Sequence, residues 1–283
     1  MRALLKVLKR IWVLNFLRRI YFASKLYNYR YGQILRWGIQ SNEDTNFTYN
    51  LTDENLKYMA CMLAVVLDKD YQTIAGYLRE ANEDQILKTF IAEQIKRSAL
   101  RKFADTEVRF ARRLGWYAFV RVMKPKVVIE TGVDKGLGAV LLCAALLKNK
   151  AEGYPGRYYG TDINPEAGYL LAGQYRETGE ILYGDSIESL SAFTTTIDLF
   201  INDSDHSAEY EYREYQTIRH LLTEQSIILG DNSEVSSSLV NFSLETGRQF
   251  LFFQEQPKAH WYPGGGIGIS FLRHQQPALG ATA

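Results

Sequence analysis

Residues 126–138 read KVVIETGVDKGLG, and the fold follows from this stretch. Lys126 to Glu130 is a β-branched apolar run closed by an acid, the pattern of a strand buried on both faces of a parallel sheet. Gly132, Gly136 and Gly138 come next, before the apolar helical run AVLLCAALL. Glycines so placed give a turn that takes positive φ and lets a ligand lie against bare backbone at a helix amino end. The stretch is therefore a nucleotide-type ligand turn, although dinucleotide dehydrogenases and plain structural turns share that general form.

The spacing separates these possibilities. A dinucleotide fingerprint, G-x-G-x-x-G, brings a pyrophosphate to the helix, whereas here the order is E-x-G-x-x-x-G-x-G with Asp134 inside the loop. An acidic loop suits a ligand that carries positive charge. S-adenosylmethionine is such a ligand, with a sulfonium, an amino group and no phosphates. At these residues the chain resembles the class I S-adenosylmethionine-dependent methyltransferases, whose first motif is an acid followed by spaced glycines. The resemblance implies that Glu130, Gly132, Gly136 and Gly138 belong to the cofactor site.

Working outward, Pro125 ends a helical pattern and the sheet begins. Strand-like runs follow at 157–163, 180–185, 197–203 and 226–231, separated by helical stretches at about 136–149, 165–178, 186–193 and 208–224. FLFFQEQP and GIGISFL give two more strands, joined by KAHWYPGG. Such alternation predicts an α/β fold, a doubly wound, mainly parallel, seven-stranded Rossmann-like sheet with its ligands at the carboxyl ends of the strands. The resemblance adds an antiparallel final strand. Upstream, Thr52 is placed to cap a helix with Asp53 and Glu54 in its first turn, and helical runs continue to Met123. The expected organisation is a basic amphipathic segment over 1–42, a helical extension over 43–124, the methyltransferase-like domain over 125–273 and a tail over 274–283.

Asp162 ends the second strand, where an acid accepts both hydroxyls of an unphosphorylated ribose. It resembles the family's ribose-binding acid, and the same position would also cap a helix before Pro165. Asp185 ends the third strand, where the family places residues beside the adenine, with Ser186 next to it; either would cap the next helix in any case.

The fourth strand ends IDLFINDSDHSAEY and the fifth ends IILGDNSEV. In a doubly wound sheet these ends are neighbours, and their oxygens suit magnesium or a similar divalent cation. The arrangement resembles the metal-dependent O-methyltransferases of the catechol and caffeoyl-coenzyme A type, which implies Asp203, Asp231 and Asn232 as ligands and Asp203 as part of the catalytic group. His206 stands where those enzymes carry a lysine. The D-x-D-H-S form is closer to the macrolide-sugar, rhamnosyl and cephalosporin-hydroxylase-like group. A neutral imidazole can take a hydroxyl proton near neutrality, so His206 is the expected base. His260, with Trp261 and Tyr262, is a second candidate for a base or a substrate wall, and His220 and His274 read as surface residues.

Composition bounds the rest. Cys61 and Cys143 are isolated and sit in apolar helical runs, so neither a disulfide framework nor a zinc site is expected, and a reducing, cytoplasmic compartment fits. Of 33 lysines and arginines nine stand in residues 1–42 with no acid, so the remaining 24 face all 32 acids and leave that part at −8. A mildly acidic catalytic part argues against nucleic acid as a substrate. Residues 1–37 mix cations with Trp12, Phe16, Ile20 and other apolar residues. Their apolar runs are too short to span a bilayer and no signal cleavage pattern follows. Such a segment can lie on the inner face of an anionic membrane, pack on its own domain or build a homo-oligomer. The expected activity is S-adenosylmethionine-dependent, divalent-metal-assisted O-methylation of a small molecule or sugar hydroxyl. The alternatives are metal-free methylation with a histidine base, a non-catalytic cofactor-binding scaffold, and a membrane-recruited interaction protein.

Overall fold

The computed structural model describes residues 11–44 and 47–272. Its sheet comprises β1 (Val127–Thr131), β2 (Arg157–Asp162), β3 (Gly179–Tyr183), β4 (Ile197–Asn202), β5 (Leu222–Asp231), β6 (Gln249–Gln254) and β7 (Gly266–Phe271), in the order β3-β2-β1-β4-β5-β7-β6. β7 runs antiparallel to both β5 and β6, and the remaining pairings are parallel. The α/β class and the seven mixed strands agree with the sequence reading. Register fixes the site: Thr131 pairs with Thr161 and Asn202, and Asn202 with Gly230. The acids that follow β4 and end β2 and β5 therefore emerge at one edge of the sheet.

The helices divide between two faces. α1 (Trp12–Gln40) precedes the domain; α2 (Asp53–Leu67), α3 (Tyr71–Glu83), α4 (Gln85–Arg97) and α5 (Arg113–Met123) follow it in sequence. Thr52 does cap α2, its hydroxyl accepting from the Asn55 amide at 3.2 Å. α6 (Leu137–Ala151), the helix after the glycine turn, is apolar almost all round and has ten buried residues. That is what a helix needs when the sheet lies on one side and α5 on the other. One core runs without a break from Met59 and Leu63 through Trp116 and Phe119 to Leu141 and Leu142. A smaller core, with Phe200, Tyr215 and Phe242, lies under α7 (Ser186–Ser191), α8 (Ala208–Ile218) and α9 (Ser238–Glu245) on the opposite face.

Two expectations of detail are corrected. Residues 165–178 form no α-helix, only turns and a 3₁₀ segment at Gly173–Glu177. Gly168 and Gly173 take φ of +74° and +54°, outside the right-handed helical region, and Gly168 packs so closely on Ile181 that a side chain would not fit. The helix expected to reach 224 ends at Ile218, because β5 begins at Leu222 rather than 226.

α1 is 29 residues long, ends at Gln40 within the segment expected over 1–42, and has no buried residue. Packing of this helix on its own domain is confined to its last turns, where the Trp37 ring meets Phe47 and Trp261, each at 5.3 Å. Among the described residues no helix is long and apolar enough to cross a membrane. His220 is exposed, while His274 and residues 1–10 of the basic segment lie outside the described residues.

Candidate active site

A cavity of about 530 Å³ opens at the carboxyl edge, lined by Gly132, Asp134, Thr161, Asp162, Ile163, Asn164, Gly184, Asp185, Ser186, Asp203, Ser204, Asp205 and Tyr210. Five aspartates and no lysine, arginine or histidine stand in that lining. Gly132, Asp162, Asp185 and Ser186 thus share one cavity. Glu130, Gly136 and Gly138 do not line it; they lie behind the turn. Glu130 is buried in the core and accepts the Tyr158 hydroxyl at 2.5 Å. Burial pushes its carboxyl up to about 7. Gly138 lets the helix pass close to the Glu130 carboxyl and the Trp116 ring, where a Cβ would collide.

Each lining acid is held by local backbone. Asp162 accepts from the amides of Val133 (3.0 Å), Asp134 (2.9 Å) and Asn164 (2.8 Å). It therefore ties the glycine turn to β2, using three of about four lone-pair positions of a carboxylate. Asp185 caps α7 through the Ile187 and Glu188 amides and accepts from Tyr210 at 3.2 Å, so the capping role is realised. Ser186 bonds the Tyr210 hydroxyl at 2.9 Å and donates to Glu214.

Glu214, which the sequence did not single out, collects four neutral donors: Ser186, Asn202, Thr131 at 3.2 Å and Ser204 at 2.8 Å. It is fully buried, and burial raises its carboxyl to about 7. One side chain on α8 thereby pins the ends of β1 and β4 and the start of α7.

The second half of the site lies beside the cavity and shares Asp203 with it. Asp203, His206 and Asp231 offer ligand atoms within 4.8 Å of one another. Asp203 and Asp231 crowd each other; burial and the Asp231 charge raise Asp203 well above the usual carboxylate range. Burial alone would raise Asp231 too, but the Arg112 guanidinium, which grips both its oxygens, holds it below that range. Arg112 also bonds Glu255 at 3.2 Å through Nη1 and donates its amide to the same carboxylate at 2.9 Å. Tyr49 completes the chain by donating to Glu255 at 2.8 Å. Arg113 approaches Asp203 at 3.5 Å.

His206 is oriented from both sides. Nδ1 lies 3.6 Å from Glu211, while Nε2 lies 3.2 Å from the Asn232 side-chain nitrogen and 4.0 Å from Asp203. With Asn232 donating, Nε2 is an acceptor and the Nδ1 proton faces Glu211, an assignment made from the bonding pattern. The nearby Glu211 carboxylate raises the imidazole above its ordinary value against the opposing effect of burial. Asn232 sits at φ +49° with its Oδ1 buried and unpartnered. Gly265 faces this oxygen; a Cβ there would collide with it and crowd Glu234 (3.3 Å) and Tyr262 (3.5 Å). Two crowded carboxylates, a ring nitrogen and an unpartnered amide oxygen are a donor set that fits a hard divalent cation.

His260 and Trp261 fall elsewhere. They line a second cleft of about 460 Å³ with Trp37, Tyr49, Asp105, Arg109 and Lys258 among others. His260 Nδ1 accepts the Tyr262 amide at 3.1 Å and its Nε2 has no partner, so the free nitrogen is a donor, unsuited to proton abstraction. Burial, with Arg109 nearby, lowers its pKa further. Tyr262 stands between the halves, 5.7 Å from the Tyr49 ring and near Asn232.

Comparison with known proteins agrees with this architecture. Residues 129–233 match the family model described as a methyltransferase domain, so this part of the chain is a methyltransferase domain, the activity class expected from the sequence. The fold is similar to that of an O-methyltransferase from Bacillus cereus solved in complex with SAH, at 13% identity and a TM-score of 0.50, covering 65% of this chain and 91% of that one. The O-methyltransferase TomG from Streptomyces achromogenes, involved in tomaymycin synthesis and solved with SAM, is matched at 14% identity and a TM-score of 0.49, over 79% of this chain and all of that one. No curated protein matches the sequence.

Proposed function

We propose that the chain is an S-adenosylmethionine-dependent O-methyltransferase acting on a hydroxyl of a small molecule or sugar unit. The observation that carries this reading is the 530 Å³ cavity walled by five aspartates and no cation, which welcomes a sulfonium and an amino group and repels phosphates. Asp203 belongs both to that cavity and to the acid–histidine cluster, so donor and acceptor chemistry meet at one residue.

His206 Nε2 takes the proton of the acceptor hydroxyl. The acceptor oxygen forms the new bond to the methyl carbon, and the carbon–sulfur bond breaks with its electron pair going to sulfur. Glu211 faces the other ring nitrogen at 3.6 Å, and the acceptor hydroxyl takes the place of the Asn232 amide N–H at the Nε2 lone pair before the proton moves. Asp203, Asp231 and Asn232 would hold a divalent cation, which when bound supplies Lewis-acid polarisation of the acceptor oxygen. Because Nε2 cannot ligate a cation and accept a proton at once, the base role leaves the three oxygens as ligands. The second cleft, with Trp37 and Trp261 faces beside polar groups, suits the remainder of a sugar-bearing acceptor.

One observation favours a metal-free variant of the same reaction. Arg112 already neutralises both oxygens of Asp231, doing for that acid what a cation would do. Calorimetric titration with S-adenosylhomocysteine, with magnesium and with a chelator, separates these readings. Wild type is expected to bind, Asp162→Asn to bind at least about tenfold more weakly, and Asp203→Asn to bind within about threefold of wild type. Absence of binding to wild type would overturn the cofactor assignment. Turnover that survives chelation would select the metal-free form.

A further inference from the structure

The longest helix of the described chain contributes nothing to the core. α1 carries fifteen exposed large apolar side chains, among them Trp12 at 74% and Leu26 at 70%, and none of its residues is buried. At about 1.5 Å per residue it is roughly 43 Å long, attached to the domain only near Trp37. An apolar surface of that extent marks a place where something docks.

Its two faces differ in chemistry. Trp12, Phe16, Ile20, Tyr27, Tyr31 and Ile34 follow steps of three, four and seven residues and fall on one side. Arg18, Lys25 and Arg36 fall on the opposite side, and Arg19 and Arg30 lie at the edge of the apolar face. No acidic residue occurs anywhere in the helix. This charge pattern decides the occupant. A second copy docked through the apolar face would bring Arg19 and Arg30 of each helix to the seam with no acid to pair them, and would leave Arg18, Lys25 and Arg36 without a partner. An anionic bilayer offers both things the helix lacks, an apolar layer for one face and phosphates for long cationic side chains that reach back to the surface. Trp12, Tyr27 and Tyr31 are of the type that settles at that boundary.

We propose that α1 is an in-plane membrane-binding helix that docks the chain on a surface rich in anionic phospholipid. The apolar face enters the boundary between headgroups and acyl chains, and the five cations contact phosphates. This inference is independent of the methyl-transfer reading.

The test is flotation of the full chain with phosphatidylcholine vesicles, with and without phosphatidylglycerol. It uses wild type, Arg18→Glu/Lys25→Glu and Phe16→Asp/Ile20→Asp. Because no α1 residue is buried, both variants are expected to melt at the wild-type temperature. Wild type should float with the phosphatidylglycerol vesicles, less so at high salt, and each variant should partition at least about tenfold more weakly. Equal flotation of all three proteins would overturn the proposal, as would absence of wild-type binding to the anionic vesicles. Self-association in sedimentation without lipid, abolished by either variant, would also overturn it and assign the face to a second copy.

Discussion

Glu214 and Asp231 are both fully buried carboxyl groups at the same edge of the sheet, yet they are satisfied in opposite ways. Glu214 takes its bonds from hydroxyls and an amide, none of them charged, and burial pushes it up to about 7. Asp231 takes its bonds from a guanidinium, and stays ionised for that reason. A buried carboxyl with neutral donors is a mount that can keep its proton, while one with an arginine is a permanent charge. The cavity side of the site rests on the first kind of support, and the acid–histidine side on the second.

The largest expected effect comes from removing the permanent charge's partner. Arg112→Met leaves Asp231 and Glu255 buried without their cation, and should cost about 3–5 kcal/mol in urea unfolding at neutral pH. A loss under about 1 kcal/mol would mean that the ionic arm is not what holds this half together. The proton-holding arm is broken by pH instead. Glu130 and Glu214 keep their protons to about 7 when folded, against an ordinary 4.5. Between those values the folded state binds more protons than the unfolded one. Their contribution is therefore complete below about pH 4.5 and lost as pH rises to 7, on the order of 3 kcal/mol for each group. Glu130→Gln should flatten its share of that slope, and a slope unchanged by the substitution would refute the assignment.

Smaller effects sharpen the contrast. Glu214→Gln keeps one accepting oxygen but sets an amide donor against other donors, and should lower stability by about 1–2 kcal/mol with little dependence on salt. Asn232→Gly relieves a left-handed φ, so stability should move by no more than about 0.5 kcal/mol. Methyl transfer should nevertheless fall, since Oδ1 and the contact to His206 are both lost. Retention of full turnover in this variant would remove Asn232 from the proposed chemistry.

The two supports also differ in how far the sequence reveals them. β1, the glycine turn and the acids after the strands are local patterns, readable because strand period, turn residues and chain order sit within a few positions of one another. The same locality explains why the cap made by Asp185 was visible. It fails at 165–178, where a polar, helix-like composition hides two left-handed glycines. Arg112 could not be found at all, since its partners Asp231 and Glu255 lie 119 and 143 residues away. In sequence it is the residue just before an amphipathic helix that itself opens on Arg113, and nothing nearby distinguishes it from a surface cation. Glu214 lies on a helix with other acids, and only the fold turns it inward. His260 shows the reverse case, a residue with suggestive neighbours that the fold places in a separate cleft.

Gly132 carries one more consequence. The backbone of Asp203 passes where its Cβ would stand, so the strand that carries the glycine turn and the strand that carries the acid touch with no filler between them. A single added carbon would act as a shim of about one bond length, and displacements of about 1 Å already spoil in-line transfer. The working distance of the site is thus set by an atom that is absent, at a residue with no chemistry of its own.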